Sequence, residues 1–179
     1  MRAALLLGGF VLAVALRVVV GGADAGRSAR AGLLFAGFLL WGAAAVRTPV
    51  PVTRRGLVYG IAGALALCVP VLLTWTPRRV PPDGFALWAL VVSVVAVAEE
   101  VFLRGALYDA VRSRAGDNAA IALGALAFGL LHLPLYGLSA VPLDVAVGVV
   151  LGELRRVTGT PAAPAVSHVG ADLASWFLR

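Results

Sequence analysis

Lysine is absent from this chain of 179 residues: every permanently cationic side chain is an arginine. Cysteine occurs once, as Cys68 in an apolar run, so the chain can form no internal disulfide, and its cysteine usage says nothing about redox compartment. Histidine occurs twice, at His132 and His168. Charge is scarce, at 13% of residues where a soluble domain carries about 25%. In its place stand 61% hydrophobic residues and a mean hydropathy of +0.96. A chain of this length cannot hide that much apolar surface in a water-soluble core, so lipid is the expected solvent. A net charge of +6 and a pI near 11.0 would point to nucleic acid in a soluble protein. Here the arginines punctuate apolar runs and read as anchors at the headgroup level, and no nucleic-acid partner is expected.

Seven apolar stretches approach spanning length, at about 3–20, 32–46, 56–75, 85–107, 118–133, 141–154 and 161–178. A full span needs about 20 apolar residues, so the shorter stretches are expected to tilt, insert partly or re-enter. Backbone polar groups in lipid must be satisfied within a segment, which makes these helices. The expected fold is all-α: a polytopic transmembrane helix bundle of about seven spans, forming one membrane-embedded domain over 1–179.

The first stretch has some features of a signal peptide, with Arg2 ahead of it and small residues at 23–25, but Arg17 interrupts it. It is expected to be a retained helix with Arg17 snorkelling to the interface. Over seven spans, one side carries Arg2, Arg47, Arg54, Arg55, Arg104, Arg112, Arg114, Arg155 and Arg156; the other carries Arg27, Arg30, Arg78, Arg79 and Arg179. That excess predicts a cytoplasmic N-terminus in the cell membrane. Segments 47–55 and 77–82 read as stiff, charged connectors. Gly148 and Gly152 make a small-xxx-small pair that would let two helices approach closely.

Ionisable groups inside membrane segments are costly and are functional candidates by default. They are few: Glu99, Glu100, Arg104, His132, Asp144, His168 and Asp172. Glu100 and Arg104 are four apart with the acid first, the favourable orientation for an ion pair on one helix face. Glu99 points about 100° away and is left without a local partner. A lone carboxylate in an apolar surround is suited to general acid or base work near neutral pH. Phe128 and His132 share a face, with Pro134 placing His132 near a helix end. His168 and Asp172 share another. Three helices thus each offer polar groups to what could be one intramembrane pocket. Two histidines and a carboxylate also make a zinc (Zn2+) set with one position open for water. Glu99, His132 and His168 would be its ligands; the same groups without metal could activate water directly. Both routes lead to hydrolysis. No H-E-x-x-H and no G-x-S-x-G is present.

Asp144, after Pro142, reads as a first-turn acid complementing the helix dipole. Glu153, Arg155 and Arg156 read as a solvated loop edge. Trp41, Trp75, Trp88, Trp176 and Tyr136 read as interfacial belt residues.

Glu99-Glu100-x-x-x-Arg104, Phe128-x-x-x-His132 and His168-x-x-x-Asp172 resemble the three motifs of the CPBP family, the CAAX prenyl endopeptidase and bacteriocin-processing intramembrane proteases, also called the Abi family. Their context agrees: EEVFLRG at 99–105, FGLLHL at 128–133 and GVVLGELRRVTGTPAAPAVSHVGAD at 148–172. The resemblance covers about residues 85–178 and implies an intramembrane endopeptidase acting on a membrane-associated protein or peptide. It implies that Glu99 and His132 activate the attacking water and that Glu100 and Arg104 support them. His168 and Asp172 would bind the scissile carbonyl or complete a metal site. Family members carry Asn or Asp at the last position. An ionised Asp cannot donate a hydrogen bond, so Asp172 acts there only if protonated, or else orients His168 or binds metal. The alternatives are a non-proteolytic immunity or regulatory protein on the same scaffold and a proton-coupled transporter, which would need a string of polar groups rather than one cluster.

Overall fold

A computed structural model describes residues 1–73 and 84–178, and these are all-α. The helices are α1 (Arg2–Gly21), α2 (Ala29–Ala45), α3 (Arg54–Leu73), α4 (Phe85–Glu100), α5 (Tyr108–Tyr136), α6 (Val141–Thr158) and α7 (Ala162–Leu178). The expected apolar stretches correspond to these in order, with shifted ends. The connector at 77–82, together with Trp75, Arg78, Arg79 and Arg179, lies outside the described residues.

Two of the described helical stretches are long and apolar enough to cross a membrane by length and composition, Arg2–Asp24 and Phe85–Tyr136; Ala29–Ala45 is apolar but shorter. Large apolar side chains such as Leu5, Val11, Leu34, Leu65, Leu87 and Leu90 lie on the outer surface, as an association with lipid requires. The inner core is drawn from α1, α2, α4, α5 and the segment 101–107 that joins the last two, where Phe10 packs against Phe35 and stacks on Phe102. Helix α4 lies between α2 and α7, α3 lies along α7, and α5 lies along α6.

Local chemistry explains several ends. The Ser28 hydroxyl accepts from the Ala31 N–H at 3.2 Å and caps α2. Gly159, at φ 74°, closes α6 in the left-handed conformation, its N–H donating to the Arg155 carbonyl. Between α4 and α5 the chain runs as a π-helical turn over Val101–Leu107, where an uninterrupted α-helix was expected. Such turns are rare and cluster at functional sites. Helix α5 is broken at Gly116 (φ 81°, ψ 176°).

The glycine pair on α6 behaves as its spacing predicts. A Cβ at Gly148 would sit 2.7 Å from the Ala125 Cα, and one at Gly152 would sit 3.0 Å from the Ile121 side chain. These two glycines let α5 and α6 meet nearly backbone to backbone. Gly148→Val is therefore expected to destabilise the fold by about 1–3 kcal/mol through overpacking, read as a lower Tm in detergent.

Two arginines depart from their expected places. Arg17 does not snorkel: it is buried, 7% exposed, with its guanidinium 5.0 Å from the Phe35 ring centroid. Arg155 is not on a solvated edge. It is buried, its Nε donates to the Arg104 carbonyl at 2.7 Å, and its Nη2 donates to Asp109 at 2.8 Å. The reason is geometric: on α6, residue 155 faces the π-helical turn while Glu153 and Arg156 pair with each other outside. Arg104 and Arg155 are thus internal ties rather than headgroup anchors, and the arginine excess behind the orientation loses two of its members.

Candidate active site

Glu100 is the hub of the polar interior. It is 0% exposed, and its Oε1 accepts from Arg104 Nη1 at 2.9 Å, as the four-residue spacing predicts. The same oxygen lies 3.0 Å from His168 Nδ1 on α7. Arg104, 1% exposed, extends its other arm to the Gly148 carbonyl at 3.1 Å and lies 4.9 Å from the Phe128 ring centroid. One ion pair therefore ties α4, the π-helical turn, α5, α6 and α7 together. Charges taken out of water cost several kcal/mol each unless paired and fully hydrogen-bonded, and here most of the polar atoms have partners.

Glu99, 2% exposed, points elsewhere, as one helical step demands. It is not without a partner, however. Arg17 Nη1 of α1 lies 3.6 Å from its Oε1. No local spacing foretold this contact, because it is made between the first helix and the fourth. A signal for Arg17 did exist: a lone arginine late in an apolar helix is a charge that needs a partner.

His132 sits near the end of α5. Its Nδ1 is 2.9 Å from the Phe128 carbonyl. A carbonyl only accepts, so Nδ1 carries a hydrogen, and in the neutral ring Nε2 keeps the lone pair. Asp144 Oδ2 lies 3.6 Å from the same Nδ1, and Tyr136 stacks on the imidazole with centroids 5.5 Å apart. Asp144 does occupy the first turn of α6, but it also belongs to the surroundings of His132. Tyr136 serves the site as well as the rim. Trp88 and Trp176 pack together at 4.8 Å with Phe85 beside them, forming one aromatic cluster.

His168 Nε2 lies 3.5 Å from Asp172 Oδ2 on the next turn of α7. Phe128 packs edge-on against both His132 and His168, at 4.7 and 5.3 Å. A cavity of about 1010 Å3 opens between the helices, and Glu99, His132, His168 and Asp172 line it with Arg17 and Asp144. Glu100 and Arg104 lie behind this wall.

Zinc would need three protein ligands around one open position. Among the described residues, no group of three or more His, Cys, Asp and Glu side chains is gathered so as to hold a metal ion. His168 is occupied by Glu100 and Asp172, Glu99 faces Arg17, and the Phe128 ring packs against both histidines. In this arrangement Glu99, His132 and His168 do not fit as a zinc set. What the cavity does offer is a carboxylate, an imidazole lone pair and a guanidinium around one volume, a set suited to activating water and stabilising negative charge.

A family model described as Type II CAAX prenyl endopeptidase Rce1-like matches residues 81–174, more than half of the chain. No curated protein and no solved structure matches it.

Proposed function

The chain belongs to the Type II CAAX prenyl endopeptidase Rce1-like family, and on that premise we propose that it is an intramembrane endopeptidase. It hydrolyses a peptide bond of a membrane-associated protein or peptide, using water activated by Glu99 and His132. The observation that carries this reading is that Glu99, His132, His168 and Asp172 line one and the same cavity.

The contacts of each residue support the role assigned to it. Glu99 is the carboxylate that can take a proton from water, since Glu100 is committed to Arg104 and His168. His132 presents Nε2 as an acceptor because Nδ1 is tied to the Phe128 carbonyl, and so it orients the same water. Glu100 and Arg104 hold His168 in place. His168 and Asp172 flank the scissile bond, with Asp172 orienting the ring through Nε2. The protein is a single domain over 1–179 with its motif-bearing core at about 85–178. It is embedded in the cell membrane as a multi-pass bundle with a cytoplasmic N-terminus.

The test uses the full chain, purified in detergent, and a panel of internally quenched peptides, some prenylated at the C-terminus and some membrane-spanning. The wild type cleaves at least one of them, while Glu99→Ala still folds, read as a cooperative melt, and does not. Unchanged cleavage by Glu99→Ala would overturn the assignment and leave the non-proteolytic reading of this scaffold.

A further inference from the structure

Resting on that hydrolytic reading, we infer that Arg17 is a further catalytic residue: it donates the hydrogen bonds that stabilise the oxyanion formed on the scissile carbonyl. Arg17 lies on α1, outside the residues 81–174 that define the family match.

Hydrolysis by activated water places a negative charge on the carbonyl oxygen, and N–H donors aimed at that charge are commonly the largest single contribution to catalysis. The motif residues meet this requirement only in part. An ionised Asp172 accepts and cannot donate. His168 Nδ1 is spent on Glu100, and its Nε2 faces the Asp172 carboxylate. Arg17 offers further donors. It is more than nine-tenths buried, it lines the cavity, and its Nε and Nη1 make no hydrogen bond in the protein. The other buried donors without a hydrogen bond among the described residues are the Thr48 and Ser167 hydroxyls, and neither lines the cavity. An arginine removed from lipid and water with donors unspent costs stability, and a ligand that accepts from those donors offsets that cost.

The position also suits the task. Arg17 Nη1 lies 3.6 Å from Glu99 Oε1, longer than the ~2.7–3.2 Å of an N–H···O hydrogen bond, so the guanidinium stands beside the proposed base without being locked onto it. In the reaction, the water oxygen bonds to the carbonyl carbon and its proton passes to Glu99. The carbonyl electron pair moves onto oxygen, where Arg17 donates to it. Collapse restores the C=O bond, breaks the C–N bond and returns the proton from Glu99 to the leaving nitrogen, giving a new carboxyl end and a new amine end.

The experiment compares wild type, Arg17→Gln and Arg17→Lys on whichever quenched peptide of the panel the wild type cleaves, with a phosphinic analogue of that peptide as a transition-state mimic. Arg17→Gln is expected to lower kcat by about 10²–10³-fold with KM little changed, and to weaken the phosphinic analogue by a similar factor. The uncleaved substrate-like peptide should bind as before. Arg17→Lys keeps the cation beside Glu99 but loses the two-pronged donor, so its kcat falls by about tenfold or more. Should Arg17→Gln fail to fold, Arg17→Lys alone decides. Wild-type kcat and wild-type affinity for the analogue in a folded Arg17 variant overturn the inference. A folded Glu99→Ala variant that still cleaves overturns the hydrolytic reading itself, so the two failures are told apart.

Discussion

Glu99→Gln is expected to lower kcat by about 10²–10⁴-fold, the contribution of a positioned general base, with a much smaller change in KM. Gln keeps the volume and an acceptor oxygen but cannot take the proton of water. Two controls make the result specific to Glu99. Glu99→Asp keeps the charge beside Arg17 and withdraws it by one methylene, so it should retain part of the activity. Glu100→Gln removes the charge that pairs with Arg104 and His168 and should act mainly on stability, through those two partners. Full activity in Glu99→Gln together with a folded but inactive Glu100→Gln would reverse the assignment of the two carboxylates. A fall in kcat with constant KM marks an interaction made only in the transition state, which a packing role for Glu99 does not produce.

Arg104→Met should destabilise the protein by about 3–5 kcal/mol, the usual cost of removing one partner of a buried ion pair. Three losses fall together at this residue. Glu100 would remain buried with His168 as its one polar partner, the Gly148 carbonyl would lose its donor, and Phe128 would lose the cation beside its ring. Met has similar length and fills most of the same space, so the effect reads out charge and hydrogen bonding rather than a cavity. Thermal or denaturant unfolding in detergent measures it. In the double variant Arg104→Met with Glu100→Gln, a substantial part of the loss is recovered, because no uncompensated charge stays buried. Simple addition of the two single losses would show that the pair is not coupled and would remove Glu100 from the centre of the site.

Much of this site is written locally in the chain. The Glu100–Arg104 pair follows from a spacing of four on a helix, and it persists although the turn that carries Arg104 is π-helical. The divergence of Glu99 from Glu100 follows from the same helical geometry. The small-xxx-small pair at Gly148 and Gly152 announces a close helix contact, and the structure supplies Ala125 and Ile121 as the surfaces met. Local pattern failed where a side chain's environment is made by a distant helix. Arg155 stands beside Arg156 and two residues from Glu153 in sequence, and nothing in that run says that one face of α6 meets the π-helical turn.

By itself, then, the amino-acid sequence determined the apolar character, the helical class and the set of chemical groups. Hydropathy acts residue by residue and the helical repeat acts over one or two turns, so both can be read along a single segment. Only the tertiary structure decided which groups meet. It brought Arg17 to Glu99, His168 to Glu100 and Asp144 to His132, because α1 lies along α2, α4 is packed between α2 and α7, and α5 lies along α6. A charge buried in an apolar bundle must find its partner in space, and that partner need not be near it in the chain.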